Sequence, residues 1–205
     1  MLHTDVVPIA WAFALRNLQV PGFIYPVAGR PYDDARNHIC EVALSNGFQN
    51  VFMWDSDVAP PNDTILRLLA HKQPIISGVY HRRSPPHGLP VMIKNGTWVQ
   101  SYPPNSIIEV DTVGSGCLLL SRQYLEAIPP LDARRGKRWF DWRVDCQHTG
   151  AFPPQECMSE DFTMCAHARK HGYKILVDTG IVCRHLGLGQ AVFGKMEPAE
   201  VATQT

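Results

Sequence analysis

The sequence predicts an α/β fold: a single domain with a central, mostly parallel sheet flanked by helices, and a smaller antiparallel hairpin region. Three observations carry that expectation. Through the first half, helical periodicity alternates with short apolar runs, the pattern of helices packed on both faces of a sheet. NVFMW (50–54) and PIISGVY (74–80) are nearly continuous apolar runs, as strands covered on both faces are. In the second half, Asn95-Gly96 stands between two short extended runs of VMIKNGTWVQ (91–100), the strongest short-range hairpin signal. A chain of 205 residues can bury a sizeable core in one such domain.

The elements follow in order. Residues 5–18 read as a helix with Thr4 as its cap, and GFIYP (22–26) as a short strand. Asp33 caps a second helix whose Ala35, Ile39, Val42 and Ala43 share one face, and Asn46-Gly47 stops it. After NVFMW come a helix at about 62–71 and the strand at 74–80. Beyond the hairpin, IIEVDTV (107–113) and CLLLS (117–121) are strands separated by Gly114-Ser115-Gly116, and Ser121 opens a helix ending near Ile128. Residues 129–158, rich in Pro, Arg, Trp and Asp without periodicity, form a long functional loop. Ser159 caps a helix that runs to His171 and stops at Gly172, and KILVD (174–178) with IVCRH (181–185) makes a closing hairpin.

Composition excludes several classes of function. Lys plus Arg (19) balance Asp plus Glu (19), so no global field draws in nucleic acid or an anionic membrane, and any phosphate must be held by a local site. The six cysteines show no Cys-x-x-Cys spacing, and most read as small buried residues of a reducing compartment. VVPIAWAFAL is too short to span a bilayer and no leader pattern precedes it, so a soluble, cytoplasmic protein is expected.

The sharpest chemical feature is Asp55-Ser56-Asp57, which ends the apolar strand. If strand geometry persists, the two carboxylates point the same way, at the strand end where open α/β sheets bind ligands. Adjacent carboxylates repel and call for a cation, Mg²⁺ or Mn²⁺; a plain turn before Pro60-Pro61 is the competing account. Glu160-Asp161 opens a helix, where acids suit the dipole but a general base would also be placed. His185 follows an apolar run; a lone histidine there is more often structural or solvated, but beside oxygen ligands it suits Mn²⁺ better than Mg²⁺. In His81-Arg82-Arg83 the arginine forks match phosphate, with a solvated basic loop equally admissible. Trp139, Phe140 and Trp142 either stack on a sugar or anchor their loop, the second being favoured. His167 and His171 have helical metal-ligand spacing without the HExxH glutamate, and read as a solvated face.

In their order, DDARNHI, VFMWDSDVAPP, ISGVYHRR, VGSGCLLLSR, SEDFTMCAHARKHGYKILVD and CRHLG resemble GT-A-fold (Rossmann-like) glycosyltransferases, especially short family-2-like enzymes of bacteria and phages. The resemblance runs from about Asp5 to Gly187. It implies a domain over 1–190, with 1–113 the nucleotide and metal half, 114–190 the acceptor and catalytic half, and 191–205 a loose tail. It further implies Asp57 and His185 as ligands of Mn²⁺ or Mg²⁺, with Asp55 on ribose or the metal's water shell. Asp161 becomes the general base of an inverting transfer and Glu160 an acceptor-side support. Arg36, Arg82 and Gly116 approach the nucleotide sugar. The donor would be a UDP- or GDP-linked sugar, and the acceptor a hydroxyl on a glycan or other small molecule. The family opens with a strand that helps form the base pocket, whereas this sequence begins at the first helix, so unusual or weakened base recognition is expected. A catalytically idle binding module and a metal-dependent phosphohydrolase are the rival readings.

Overall fold

The computed structural model describes residues 7–19, 22–83, 88–131, 136–142 and 158–187, and the backbone of 192–193. The chain runs α1 (Ile9–Asn17), α2 (Tyr32–Ser45), β1 (Asn50–Trp54), β2 (Val58–Ala59), α3 (Thr64–Ala70), β3 (Ile75–Val79), β4 (Met92–Lys94) and β5 (Thr97–Trp98). There follow β6 (Ile107–Val110), β7 (Thr112–Val113), β8 (Cys117–Ser121), α4 (Arg122–Ala127), α5 (Glu160–Lys170), β9 (Ile175–Val182), β10 (Arg184–Leu186) and β11 (Val192–Phe193).

The fold is mixed α/β. Its central sheet has the order β1-β8-β3-β9-β6, in which only β3 and β9 pair in parallel; β1–β8, β3–β8 and β6–β9 are antiparallel. This corrects the mostly parallel sheet expected from sequence. β1 and β3 do point the same way, but β8 runs between them in the opposite sense. An unbroken apolar strand such as CLLLS reports burial on both faces and says nothing of direction. Two further sheets, β11-β10-β2 and β5-β4-β7, are small and antiparallel.

Side chains alternate between two cores with the strand period of two. Val51, Met53, Leu118 and Leu120 face a core completed by α2, α4 and α5, through Cys40, Ala43, Tyr124, Leu125, Met164 and Ala168. Phe52, Cys117, Leu119 and Ile76 face the opposite core, closed by Leu68 of α3. The helix layers reach past the last strand, so an apolar groove of about 500 Å³ runs along the outer edge of β1, lined by Trp11, Leu15, Phe48, Val51, Phe52 and Ile65 among others.

Local departures have local causes. Residues 22–26 carry no strand, and α2 begins after Pro31 with Asp33 inside its first turn; Arg138 holds Asp33 at 2.7 Å and Asp34 at 3.0 Å. The Asn95-Gly96 turn does form, with φ of 52° and 73°, the left-handed pair that a two-residue hairpin needs. The run 107–113 is divided between the central sheet (β6) and the hairpin sheet (β7). The expected closing hairpin is instead one long strand, β9, followed by β10, which leaves the central sheet to pair with β2. β11 pairs with β10 inside the stretch read as a tail. Thr4 and most of 129–158, including Cys146 and Cys157, lie outside the described residues. Among the described residues, no helix is long and apolar enough to cross a membrane.

Candidate active site

β1 delivers Asp55 to the surface and then stops. The Val58 N–H donates to the Asp55 carbonyl at 3.1 Å, closing a turn in place of continued strand, so the condition for two parallel carboxylates is not met. The turn sends them to different partners in one pocket. Asp55 accepts from Arg36 Nη2 at 3.1 and 3.3 Å. Asp57 lies against Arg83, whose Nη2 is 2.9 Å from Oδ2, and against His185, whose Nε2 is 3.5 Å from the same oxygen. Beyond the turn, β2 pairs with β10 so that Val58 stands opposite His185, and the Leu186 N–H donates to the Asp57 carbonyl at 2.6 Å. A sheet of two- and three-residue strands thus fixes the distance between Asp57 and a histidine far away in sequence.

The imidazole is oriented as well as placed. His185 Nδ1 is 2.7 Å from the His81 carbonyl, which only accepts, so Nδ1 carries the proton. In the neutral ring Nε2 then turns a lone pair toward Asp57 Oδ2. Two acceptors facing each other across 3.5 Å form a gap that a cation fits, and a histidine fixed through its other nitrogen is the usual arrangement for a metal ligand. Burial works against the Asp57 charge, but the His185 ring when it is protonated, and the Arg83 guanidinium, hold its carboxyl below the usual carboxylate range. Among the described residues, no group of three or more His, Cys, Asp and Glu gathers as a metal cage. A two-donor site agrees with Mg²⁺ or Mn²⁺ chemistry, in which substrate phosphates and water complete the octahedron.

In the same pocket Arg36, only 3% exposed, gives Nε to Glu160 Oε1 at 3.1 Å while Nη2 holds Asp55. Sequence reasoning assigned Arg36 to the nucleotide; its guanidinium is committed instead to two carboxylates, joining α2 and α5 to the end of β1. Burial raises Glu160 to about 7, the Asp161 charge adds to the shift, and Arg36 offsets part of it. Burial likewise raises the Asp161 carboxyl, against hydrogen bonds from the Ser159 hydroxyl and the Phe162 N–H. Ser159 stands at the helix N-cap, but its hydroxyl serves Asp161 in place of a backbone donor.

Arg36, Asp55, Asp57, Arg82, Glu160, Asp161 and His185, all picked out from sequence, line a single pocket of about 430 Å³. Gly116 lies behind Asp55: a Cβ there would stand 2.9 Å from Val58 Cγ2 and 3.3 Å from Asp55 Oδ2, so the close approach of β8 requires glycine. Of the loop aromatics, Trp142 lines the pocket, whereas Trp139 and Phe140 are buried as loop anchors, Trp139 donating to the Leu125 carbonyl. His167 and His171 lie edge to face on α5, with His167 against the Pro129 carbonyl.

Sequence reasoning missed Tyr32, Tyr80 and Trp98, and gave Arg83 no role of its own. Tyr80 is buried, accepts from the Gly116 N–H and meets the His185 ring edge-on at 5.3 Å. Burial and the charges of Asp55 and Asp161 keep its phenol protonated, well above the ordinary range. Its position directly after the apolar β3, which ends on the same side of the sheet as β1, was the available signal. Trp98 comes in on the hairpin, stacks under the Arg82 guanidinium at 4.3 Å and lies 5.9 Å from Phe162, the neighbour of Asp161.

No family model matches the sequence, and no curated protein matches it. Among solved structures, the chain is similar to A197 from STIV, with a TM-score of 0.53 and 14% identity over 82% of this chain and 78% of that one. At that identity the likeness speaks for the α/β fold alone.

Proposed function

We propose that the protein is a metal-dependent glycosyltransferase of the GT-A type, which transfers a sugar from a nucleotide diphosphate to a hydroxyl acceptor. The observation that carries this reading is the pocket itself. Its Asp57–His185 gap suits a cation, and two carboxylates with raised proton affinity line the same pocket. Asp57 Oδ2 and His185 Nε2 would hold a divalent cation, which supplies charge stabilisation to a diphosphate leaving group. Asp161 accepts the acceptor's proton as its hydroxyl attacks the anomeric carbon from the face opposite the diphosphate, giving inversion. A carboxyl raised above the usual range by burial is a stronger base than a solvated one. Arg36 keeps Asp55 and Glu160 charge-balanced, and Trp98, stacked with Arg82 and near Phe162, brings an aromatic ring to the pocket wall for a sugar to meet. The aromatic platform favours transfer over a phosphohydrolase, which needs no acceptor surface.

A thermal-shift screen of nucleotide sugars with and without Mn²⁺ tests the reading. Ligand at about a hundred times its dissociation constant adds about 2.7 kcal/mol of stability, and Asp57→Ala should abolish that response. Asp161→Asn should retain binding and lower transfer about 10²- to 10⁴-fold. Undiminished turnover removes Asp161 as base; silence toward every nucleotide leaves an idle binding module; release of free sugar without acceptor transfer leaves a hydrolase.

A further inference from the structure

The Arg83 guanidinium lies on the oxygen that a cation would need. Its Nη2 contacts Asp57 Oδ2 at 2.9 Å, the same oxygen that His185 Nε2 faces. Its Nη1 donates to the Leu186 carbonyl at 3.2 Å, one residue beyond His185. The side chain is 43% exposed, so unlike Arg36 it can leave its carboxylate without opening a hole in the core. A second observation points the same way: Asp57 and His185 supply only two donors, and no third joins them among the described residues. A cation held by two protein ligands depends on other oxygens for the rest of its shell.

We propose that Arg83 is the resting counter-ion of Asp57 and makes cation binding conditional on a diphosphate. This rests on the metal-site reading above. A divalent cation arriving alone must displace the guanidinium from Oδ2, and two positive charges are then held close together with one carboxylate between them. A cation arriving with a diphosphate brings negative oxygens of its own. The released guanidinium, which turns about its contact with Leu186, then pairs with phosphate, whose geometry its fork matches. Cation and diphosphate therefore each bind more tightly in the other's presence, by the same factor.

Inorganic pyrophosphate tests this without a choice of nucleotide. Quenching of tryptophan fluorescence by Mn²⁺ reports occupancy next to Trp98, first with Mn²⁺ alone and then with preformed Mn²⁺–pyrophosphate. In the unaltered chain the complex should bind about tenfold or more tightly than the bare ion. In Arg83→Gln the gap should close from both sides: Mn²⁺ alone binds about fivefold tighter, and the complex binds more weakly. Arg83→Lys should restore much of the difference. Equal Mn²⁺ affinity in Arg83→Gln and the unaltered chain, or an unchanged gap, overturns the proposal while leaving the metal site standing. Absence of Mn²⁺ binding in every form, with and without pyrophosphate, removes the metal site and the proposal together.

Discussion

Two cavities among the described residues are similar in size and opposite in character. The pocket at the end of β1 holds about 430 Å³ among charged side chains, whereas the groove along the outer edge of the same strand holds about 500 Å³ among apolar ones. The larger cavity is not where the chemistry gathers. In the groove, Phe52, Val51 and Ile65 extend the two cores to their limit, and their contribution is stability. In the pocket, Arg36 and Glu160 are buried and Asp161 half-buried at a cost in stability, and that burial raises the proton affinity of two carboxylates. One strand thus divides the two tasks, with its edge in the groove and its end in the pocket.

The comparison breaks most readily at Arg36. Removing one partner of a buried ionic network leaves uncompensated charge, so Arg36→Met should cost about 3–5 kcal/mol in denaturant unfolding and also abolish the nucleotide response. A mild stability loss would mean that the pocket carboxylates do not depend on it. Ile65→Ala, in the groove, should cost about 2–5 kcal/mol by cavity formation while leaving the ligand-induced shift in Tm intact. Loss of that shift would mean that the two cavities are coupled. The smallest effect concerns pH. Between 4.5 and about 7 the folded chain keeps on Glu160 a proton that the unfolded chain has released. Stability is therefore greatest below this window and falls as pH rises through it. Glu160→Gln should flatten that slope; an unchanged slope assigns it to other groups.

The chemistry of the pocket was legible because its carboxylates and histidine stand at element ends, where an apolar run halts or a helix begins. Asp55, Asp57, Glu160, Asp161 and His185 each interrupt a pattern. Their partners were less legible because contact, and not pattern, selects them. Arg36 was picked out for the nucleotide, and only the fold shows its guanidinium between Asp55 and Glu160. Trp98 sits one residue beyond Thr97 in a hairpin read correctly as a hairpin, but the hairpin's destination is a tertiary fact. Strand direction was hidden for the reason that made the strands easy to find: a run buried on both faces looks the same in either sense. KILVD and IVCRH were read as the two strands of a hairpin, while the structure carries β9 through Thr179-Gly180 between them, with an irregular register against β3.

The reversed strand β8 also governs the order in which the sheet can be assembled. Asn50 finds its partner only at Ser121, and Ile75 pairs with Leu120 of that same strand. As the chain is synthesised, β1 and β3 are present long before the strand that lies between them. Both are apolar segments with open hydrogen-bonding edges, a state prone to association with other chains. Pairing across such separations is slow. A nascent or truncated chain ending before Cys117 should therefore be sticky, and the step that ends that exposure is the insertion of CLLLS.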